Sequence, residues 1–321
     1  MKSQAMAADT GRTPRRRSEA GFSLPELLIA TTILLIISGT VTNGLLHQTH
    51  AQQTIWNRTE LHAGVRSATE LLQQEVGQAG RVTLPTVVTL TSAVAAGAQS
   101  VTVLSASGIF AGEQLVVGAG PLSETVTVLT VNTGTNTITA NSSTGSTGFY
   151  YAHSSLEPVQ AYGGFSSGVV PTNWVTSPST GTVLKLYGDI NGDNNMVYVE
   201  YTCDTGAGYL YRNMMPWNQV GKPAVTASEI LLGNIVANPG GTACFTYQQS
   251  TVNGVTYVTD VAITLTVRTQ QLDPITRQYQ TETKALLNVS PRNVFNVWEL
   301  ASQGSYFRVQ PMPPSISLLL P

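Results

Sequence analysis

The sequence predicts an α+β protein: a long N-terminal α-helix packed on a mostly antiparallel β-sheet head that carries an inserted small β module. Three observations predict it. Residues 22–41 are apolar with a single charge. A one-sided apolar stripe at helical spacing follows between positions 61 and 79. Beyond residue 81 the chain turns to short β-branched runs punctuated by glycine, the composition of exported all-β structure.

The helix comes first. Residues 22–41 make about 30 Å of helix, enough to cross a bilayer core. Pro25 falls in the first turn, where its missing N–H costs little and its φ suits the helix. Glu26 is the lone charge of the run. Placing an ionised carboxylate near hydrocarbon costs roughly 2.5–3.5 kcal/mol, so an acid there calls for a partner. A free amino group, made by cutting another copy between Gly21 and Phe22, would supply one. Residues 1–21 read as a leader. They carry Lys2, Arg12, Arg15, Arg16 and Arg17 against Asp9 and Glu19, a basic excess expected to stay cytoplasmic. An ordinary secretory signal fits less well, because its apolar stretch would contain Glu26 and no Ala-x-Ala site follows. A plain signal anchor is the stronger rival.

The second half of the helix has a different face. Leu61, Val65, Ala68, Leu72, Val76 and Ala79 recur every three or four residues, the stripe of a helix with one side on a core. Arg58, Glu60, Arg66, Glu70 and Glu75 read as lying largely off it. Gly77 weakens the last turn and Gly80 is a natural stop. One helix is therefore expected over residues 22–80, with its membrane segment at 22–41.

Residues 81–300 are expected to form the β-rich head. Within it, residues 82–155 read as a module of their own, with short strands near 101–104, 114–117, 124–131 and 137–140. After a loop-rich stretch, strands resume at 183–187, 196–201 and 209–212, the last two forming a hairpin. Further strands fall at 244–247, 255–268 and about 276–289, with a turn at Asp273 and Pro274. Residues 301–321 form a Pro-rich tail, either mobile or strapped across the head.

The run Gly21-Phe22-Ser23-Leu24-Pro25-Glu26, directly after an Arg cluster, resembles the processing and assembly signal of type IV pilins and type II secretion pseudopilins. The resemblance implies that a prepilin peptidase cuts after Gly21 and that Phe22 becomes an N-methylated terminus. It also implies that Glu26 guides subunit docking, and that Gly39 and Gly44 mark where such helices loosen in a filament. Three later features are similar to PilW-type minor pilins: residues 72–81, the turn at 189–193 before a Tyr-rich hairpin, and residues 289–293 after the last strand. The implied function is that of a minor pilin or pseudopilin, incorporated into, initiating or capping a type IV pilus-like filament. The implied partners are other pilin or pseudopilin subunits, the prepilin peptidase, the inner-membrane assembly platform and the membrane itself. The implied location is the bacterial inner membrane, single-pass with the head outside the cytoplasm, then a pilus at the cell surface or a periplasmic pseudopilus. The alternatives are a tip-located surface adhesin that contacts its ligand through residues 82–155, and a type II secretion minor pseudopilin.

Composition and motifs bound the other classes. Removing residues 1–21 takes away five of 16 basic and two of 18 acidic side chains, leaving a net charge of about −5 and no basic cluster. Direct nucleic-acid binding is not expected. Residues 164–168 match Gly-x-Ser-x-Gly, but no helix signal follows and His47, His50, His62 and His153 all precede Ser166. A Gly/Ser loop is the better reading, and no enzyme is expected. Asp189, Asn191 and Asp193 alternate like the oxygen ligands of a Ca2+ loop. However, Asn194 stands where such a loop needs Gly, and Glu200 falls on a strand about 16 Å past Asn195. A tight turn without an ion is preferred. His47 and His50 lack a third ligand nearby, and read as a solvated or subunit-facing pair. Cys203 and Cys244 are the only cysteines. Outside the cytoplasm a disulfide is expected, closing a loop worth about 4 kcal/mol; two buried thiols on separate strands are the alternative.

Overall fold

The computed structural model describes residues 21–320. The leader charges expected to stay cytoplasmic lie outside the described residues. The chain divides into two compact units, one ending at Thr54 and the other beginning at Ile55. Helix α1 (Leu24–Gln78) contributes to both and runs unbroken through Gly39 and Gly44.

In the first unit no described residue is buried. The second unit is built on the stripe of α1. Val65, Ala68, Leu72, Val76 and Ala79 are all buried, and Leu61 nearly so. The helix ends at a close crossing. Gly80 takes φ +84°, and its N–H donates to the Tyr187 carbonyl at 2.9 Å. A Cβ on Gly168 would lie 2.2 Å from the Gly80 Cα, and one on Gly188 would lie 2.9 Å from the Arg81 nitrogen. Only glycine lets these three backbones meet.

Next in the chain comes a sheet of six strands: β1 (Val88–Thr89), β2 (Ser100–Thr102), β3 (Gln114–Val117), β4 (Glu124–Asn132), β5 (Thr137–Ser142) and β6 (Pro158–Ala161). Their order is β1-β6-β3-β4-β5-β2, every pair antiparallel. Residues alternate between buried and half-exposed along β3 and β5, as a one-faced sheet requires. Leu90, Leu115, Val126, Ile138, Ala140 and Phe149 fill a core separate from that of the helix.

After β7 (Gly164–Phe165) come β8 (Val183–Gly188), β9 (Val197–Asp204), β10 (Tyr209–Pro216) and β11 (Ile230–Gly233), paired in the order β11-β10-β9-β8. A third sheet joins β12 (Ile235–Val236), β13 (Phe245–Val252), β14 (Val255–Arg268) and β15 (Thr281–Val289), with β14 central. β15 begins later than expected because Asp273 accepts from the amides of Ile275 and Thr276 and holds that stretch in a turn.

The stripe of α1 packs against both of these sheets at once. Leu184, Leu186, Val199 and Leu210 belong to one sheet, and Phe245, Val261, Ile263 and Leu265 to the other. The opposite face of β8 and β9 is also buried. Tyr187 and Tyr198 pack there with Phe165, Val170 and three residues of the C-terminal segment, Ile316, Leu319 and Leu320. That segment consists of β16 (Val309–Gln310), parallel to β7, and the short helix α3 (Pro314–Leu319). It is strapped down by Lys185, whose ammonium donates to the Leu320 carbonyl at 2.6 Å and to Ser177.

One element was not anticipated. Helix α2 (Arg292–Ser302) follows Pro291 and buries Val294, Val297 and Ala301. Their spacing of three and four is a helical stripe, though only eleven residues long.

Two stability predictions follow from this packing. Leu72 is fully buried, so Leu72→Ala should cost about 2–5 kcal/mol in chemical denaturation, whereas Glu60→Ala, at an exposed position, should shift stability by less than about 0.5 kcal/mol. Glu113 is buried just before β3; one oxygen accepts from the Phe110 N–H at 3.1 Å and the other has no partner. Burial pushes its pKa up to about 8. The native state therefore keeps a proton that the unfolded chain releases from about pH 4.5 upward. Its contribution to stability is full below that pH and is lost as pH rises to about 8. Glu113→Gln should flatten this slope, seen in denaturation midpoints measured from pH 4 to pH 9.

Candidate functional site

The N-terminal segment is built simply. Gly21, Phe22 and Ser23 precede the helix, and the first α-helical hydrogen bond runs from the Leu27 N–H to the Ser23 carbonyl at 3.1 Å. Pro25 and Glu26 fall in that first turn. The carboxylate thus sits at the end of the helix where the dipole favours negative charge. Phe22 is 81 % exposed, and the apolar side chains from Leu24 to Leu46 face outward on every side. The helix is long and apolar enough to cross a membrane.

Three threonine hydroxyls of this stretch are satisfied internally. Thr31 and Thr32 both donate their hydroxyls to the Leu28 carbonyl, at 3.0 and 2.7 Å, and Thr40 donates to the Ile37 carbonyl at 2.8 Å. A bilayer demands this arrangement of a hydroxyl. Glu26 has no such outlet: among the described residues no side chain pairs with its carboxylate. Phe22 and Glu26 therefore present an extended, exposed start of chain and an unpartnered acid one turn later.

The other sequence-selected residues fall elsewhere. Cys203 on β9 and Cys244 just before β13 are joined as a disulfide, with Cα atoms 6.5 Å apart. The bond links the two sheets that share the helix stripe. Asp189 is buried; one oxygen accepts from the Asp193 N–H at 3.0 Å and the other faces Arg81 Nε at 3.5 Å. Asp193 accepts from the Asn195 N–H, and the Asn191 amide faces the Met214 sulfur. Asp189 Oδ1 and Asp193 thus close the turn, while the second Asp189 oxygen is buried without a hydrogen-bond partner. Glu200 lies on β9 and accepts from Lys222 and Tyr198, away from any such loop. Among the described residues no group of three or more His, Cys, Asp or Glu is placed to hold a metal. His62 pairs with Glu282 at 3.2 Å, and His47 and His50 are exposed. Ser166 donates its hydroxyl to the Gln310 carbonyl at 3.3 Å, the bond of a structural loop.

Sequence reasoning missed one polar cluster. Glu75 reads as an outward residue but is buried, hydrogen-bonded to the Tyr201 hydroxyl and to Arg212. It lies close enough to the stripe that the sheet covers it, and Arg212 neutralises it with a forked contact. Burial first, then the Glu75 charge, push the Tyr201 hydroxyl well above the usual phenol range, so it remains a donor. The signal available was an Arg on the strand partnered with Tyr201, but the pairing across more than a hundred residues was not readable.

The prokaryotic N-terminal methylation motif matches residues 16–42. The match covers the N-terminal segment alone, and supports the type IV pilin or pseudopilin family and processing by prepilin peptidase. That motif marks a structural family that is usually non-enzymatic, and with the apolar helix it fits an inner-membrane-anchored protein. No curated protein matches the chain, and no solved structure does.

The disulfide is open to direct test. Mass spectrometry without reductant should find a peptide joining Cys203 and Cys244, and replacing both with Ser should lower stability by about 4 kcal/mol in denaturant titrations, from the length of the closed loop. Two free thiols in exported protein would contradict it.

Proposed function

We propose that this chain is a minor subunit of a type IV pilus-like filament, one that helps start or cap the filament rather than repeat along it. The observation that carries the reading is the unpartnered Glu26 one turn after Phe22, on a helix whose apolar side chains from Leu24 to Leu46 are all exposed. Leader removal after Gly21 would leave an amino group at Phe22. In a bundle of such helices, that group on one subunit and Glu26 on its neighbour would neutralise one another. Either charge left alone in an apolar bundle costs several kcal/mol.

The proposed organisation is a leader at 1–21, a helix at 22–80, a head at 81–300 with the module at 82–155, and a C-terminal strap. The large head favours a low-copy position, and the PilW-like order of features supports the same view. Partners on this reading are other pilins or pseudopilins, the prepilin peptidase and the assembly platform. The head then lies outside the cytoplasm, at the cell surface or in a periplasmic pseudopilus of type II secretion. A second reading, a tip adhesin, is favoured by the separate core of the module, which can diverge without disturbing the helix packing. An enzyme is disfavoured by the Ser166 hydrogen bond.

N-terminal sequencing of the mature protein should begin at an N-methylated Phe22. Glu26→Ala should still be cut and its head should melt normally, yet it should be absent from filaments and fail to support their initiation. Glu26→Asp should be intermediate, its charge kept but its reach shortened. Assembly of Glu26→Ala at the parental level would leave a plain membrane anchor as the better reading.

A further inference from the structure

A cleft of about 320 Å³ opens where the inserted module meets the end of the β8–β10 sheet. Three stretches of chain form it: the entry to the module and its β2–β3 loop, the turn before β9, and the residues after β10. We propose that this cleft binds a neutral saccharide, in a site no larger than one to three sugar rings. The proposal does not rest on the filament reading.

The chemistry of the walls carries it. None of the lining residues is Lys, Arg, His, Asp or Glu. Phosphate or carboxylate ligands would find no counter-charge, and neither would a cation. The polar groups are instead amides and hydroxyls: Asn194, Asn195 and Asn218, with Ser107 and Thr83. An amide side chain offers a donor pair and an acceptor side by side, matching vicinal sugar hydroxyls, which both give and take protons. Asn194 and Asn218 are exposed, with no protein group bonded to their amides, so both are available. Thr83 also lines the cleft, its hydroxyl shielded and without a partner in the protein.

The remaining wall is aromatic. Trp217 is half-buried, held edge-to-face against Phe110 at 5.8 Å, and lines the cleft. A sugar ring has an apolar face of C–H bonds rimmed by hydroxyls, so a fixed indole beside free amides suits it. Small ligands are held by this combination of apolar surface with a few placed polar groups. The opposite wall is equally fixed. Gly108 takes φ +84°, and a Cβ there would lie 2.5 Å from Pro85 Cδ, so the loop packs directly on Pro85. The turn that presents Asn194 is set by its own φ of +65° and by the closure at Asp189 and Asp193. The walls are thus formed before any ligand arrives, which keeps the ordering cost of binding low.

The test uses the purified full chain in detergent, titrated by calorimetry and by ligand-observed NMR with maltotriose, chitotriose and lactose, and with a heparin tetrasaccharide as the charged probe. Saturable binding of at least one neutral sugar is expected, with no binding of the heparin fragment. Asn218→Ala and Asn194→Gly should each weaken it tenfold or more; the glycine keeps the positive φ while removing the amide. Trp217→Phe should weaken it further, and the two asparagine variants keep the test valid if that change disturbs folding. Three outcomes would overturn the proposal: no binding of any of the three sugars, binding indifferent to both asparagine variants, or binding of the heparin fragment alone.

Discussion

Between positions 61 and 79 helix α1 must hide one apolar face from water, and two different sheets share that task. The Leu72 side chain touches a core that includes Leu186 and Val199 from one sheet and Ile263 and Leu265 from the other. Neither sheet alone covers the stripe, so the helix fixes their relative placement. The Cys203–Cys244 bond ties the same two sheets at one edge of that core. The other constraints follow. β8 and β9 lie inside the head with both faces covered, and so they carry near-continuous buried runs rather than a clean alternation. Their second face needs a cover of its own, and the C-terminal segment provides it. The Gly80, Gly168 and Gly188 crossing sits where the end of the helix meets this sheet, with the Gly80 N–H bonded to the Tyr187 carbonyl.

Burying both faces of a sheet forces its polar residues to find partners. Lys185 is nearly inaccessible; burial lowers its pKa, and the Glu200 charge opposes that shift. Glu200 is shared with Lys222 and Tyr198, so one carboxylate serves several donors. His153 lies ahead of β6 between two acids, Nε2 2.9 Å from Glu124 and Nδ1 2.7 Å from Glu157. Those acids also accept from the amides of Tyr150, Tyr151 and Ser154, and so pin a loop that has little apolar content. Such networks add little net stability compared with apolar packing. Breaking one member is costly, however, and that cost holds each segment to a single placement.

Much of this was legible in the residues because it depends on period. The helix stripe, the hairpin across Asp204 and the late β strands are local patterns of 3.6 or 2, and the sequence carries them openly. The N-terminal run is legible for a different reason: a charge among twenty apolar residues has few explanations. What stayed hidden is non-local. Glu75 has the same one-dimensional signature as Glu70, yet one is buried against Arg212 and the other pairs on the surface with Arg66. Helix α2 is short, and its three buried residues are too few to outweigh a β-rich neighbourhood. The amide-lined cleft joins positions 83, 107, 194 and 217, which no window of sequence brings together.

Two buried carboxylates of the head, Glu113 and Glu75, and Glu26 in the proposed membrane segment meet the loss of bulk water differently. Glu113 has a backbone amide for one oxygen and nothing for the other, so it retains its proton into the neutral range. Glu75 is enclosed by Arg212 and the Tyr201 hydroxyl within the same fold. Glu26 has neither device. It sits on a helix where the Thr31, Thr32 and Thr40 hydroxyls are already satisfied by the helix's own carbonyls, and among the described residues no donor side chain pairs with it. The head offers an example of what an ionised acid needs once water is withdrawn, a fixed cation together with a hydrogen-bond donor. An N-terminal ammonium is both in one group. On the proposed reading, the pairing that Arg212 makes for Glu75 within one chain is made for Glu26 between chains, and the fold of each subunit is independent of it.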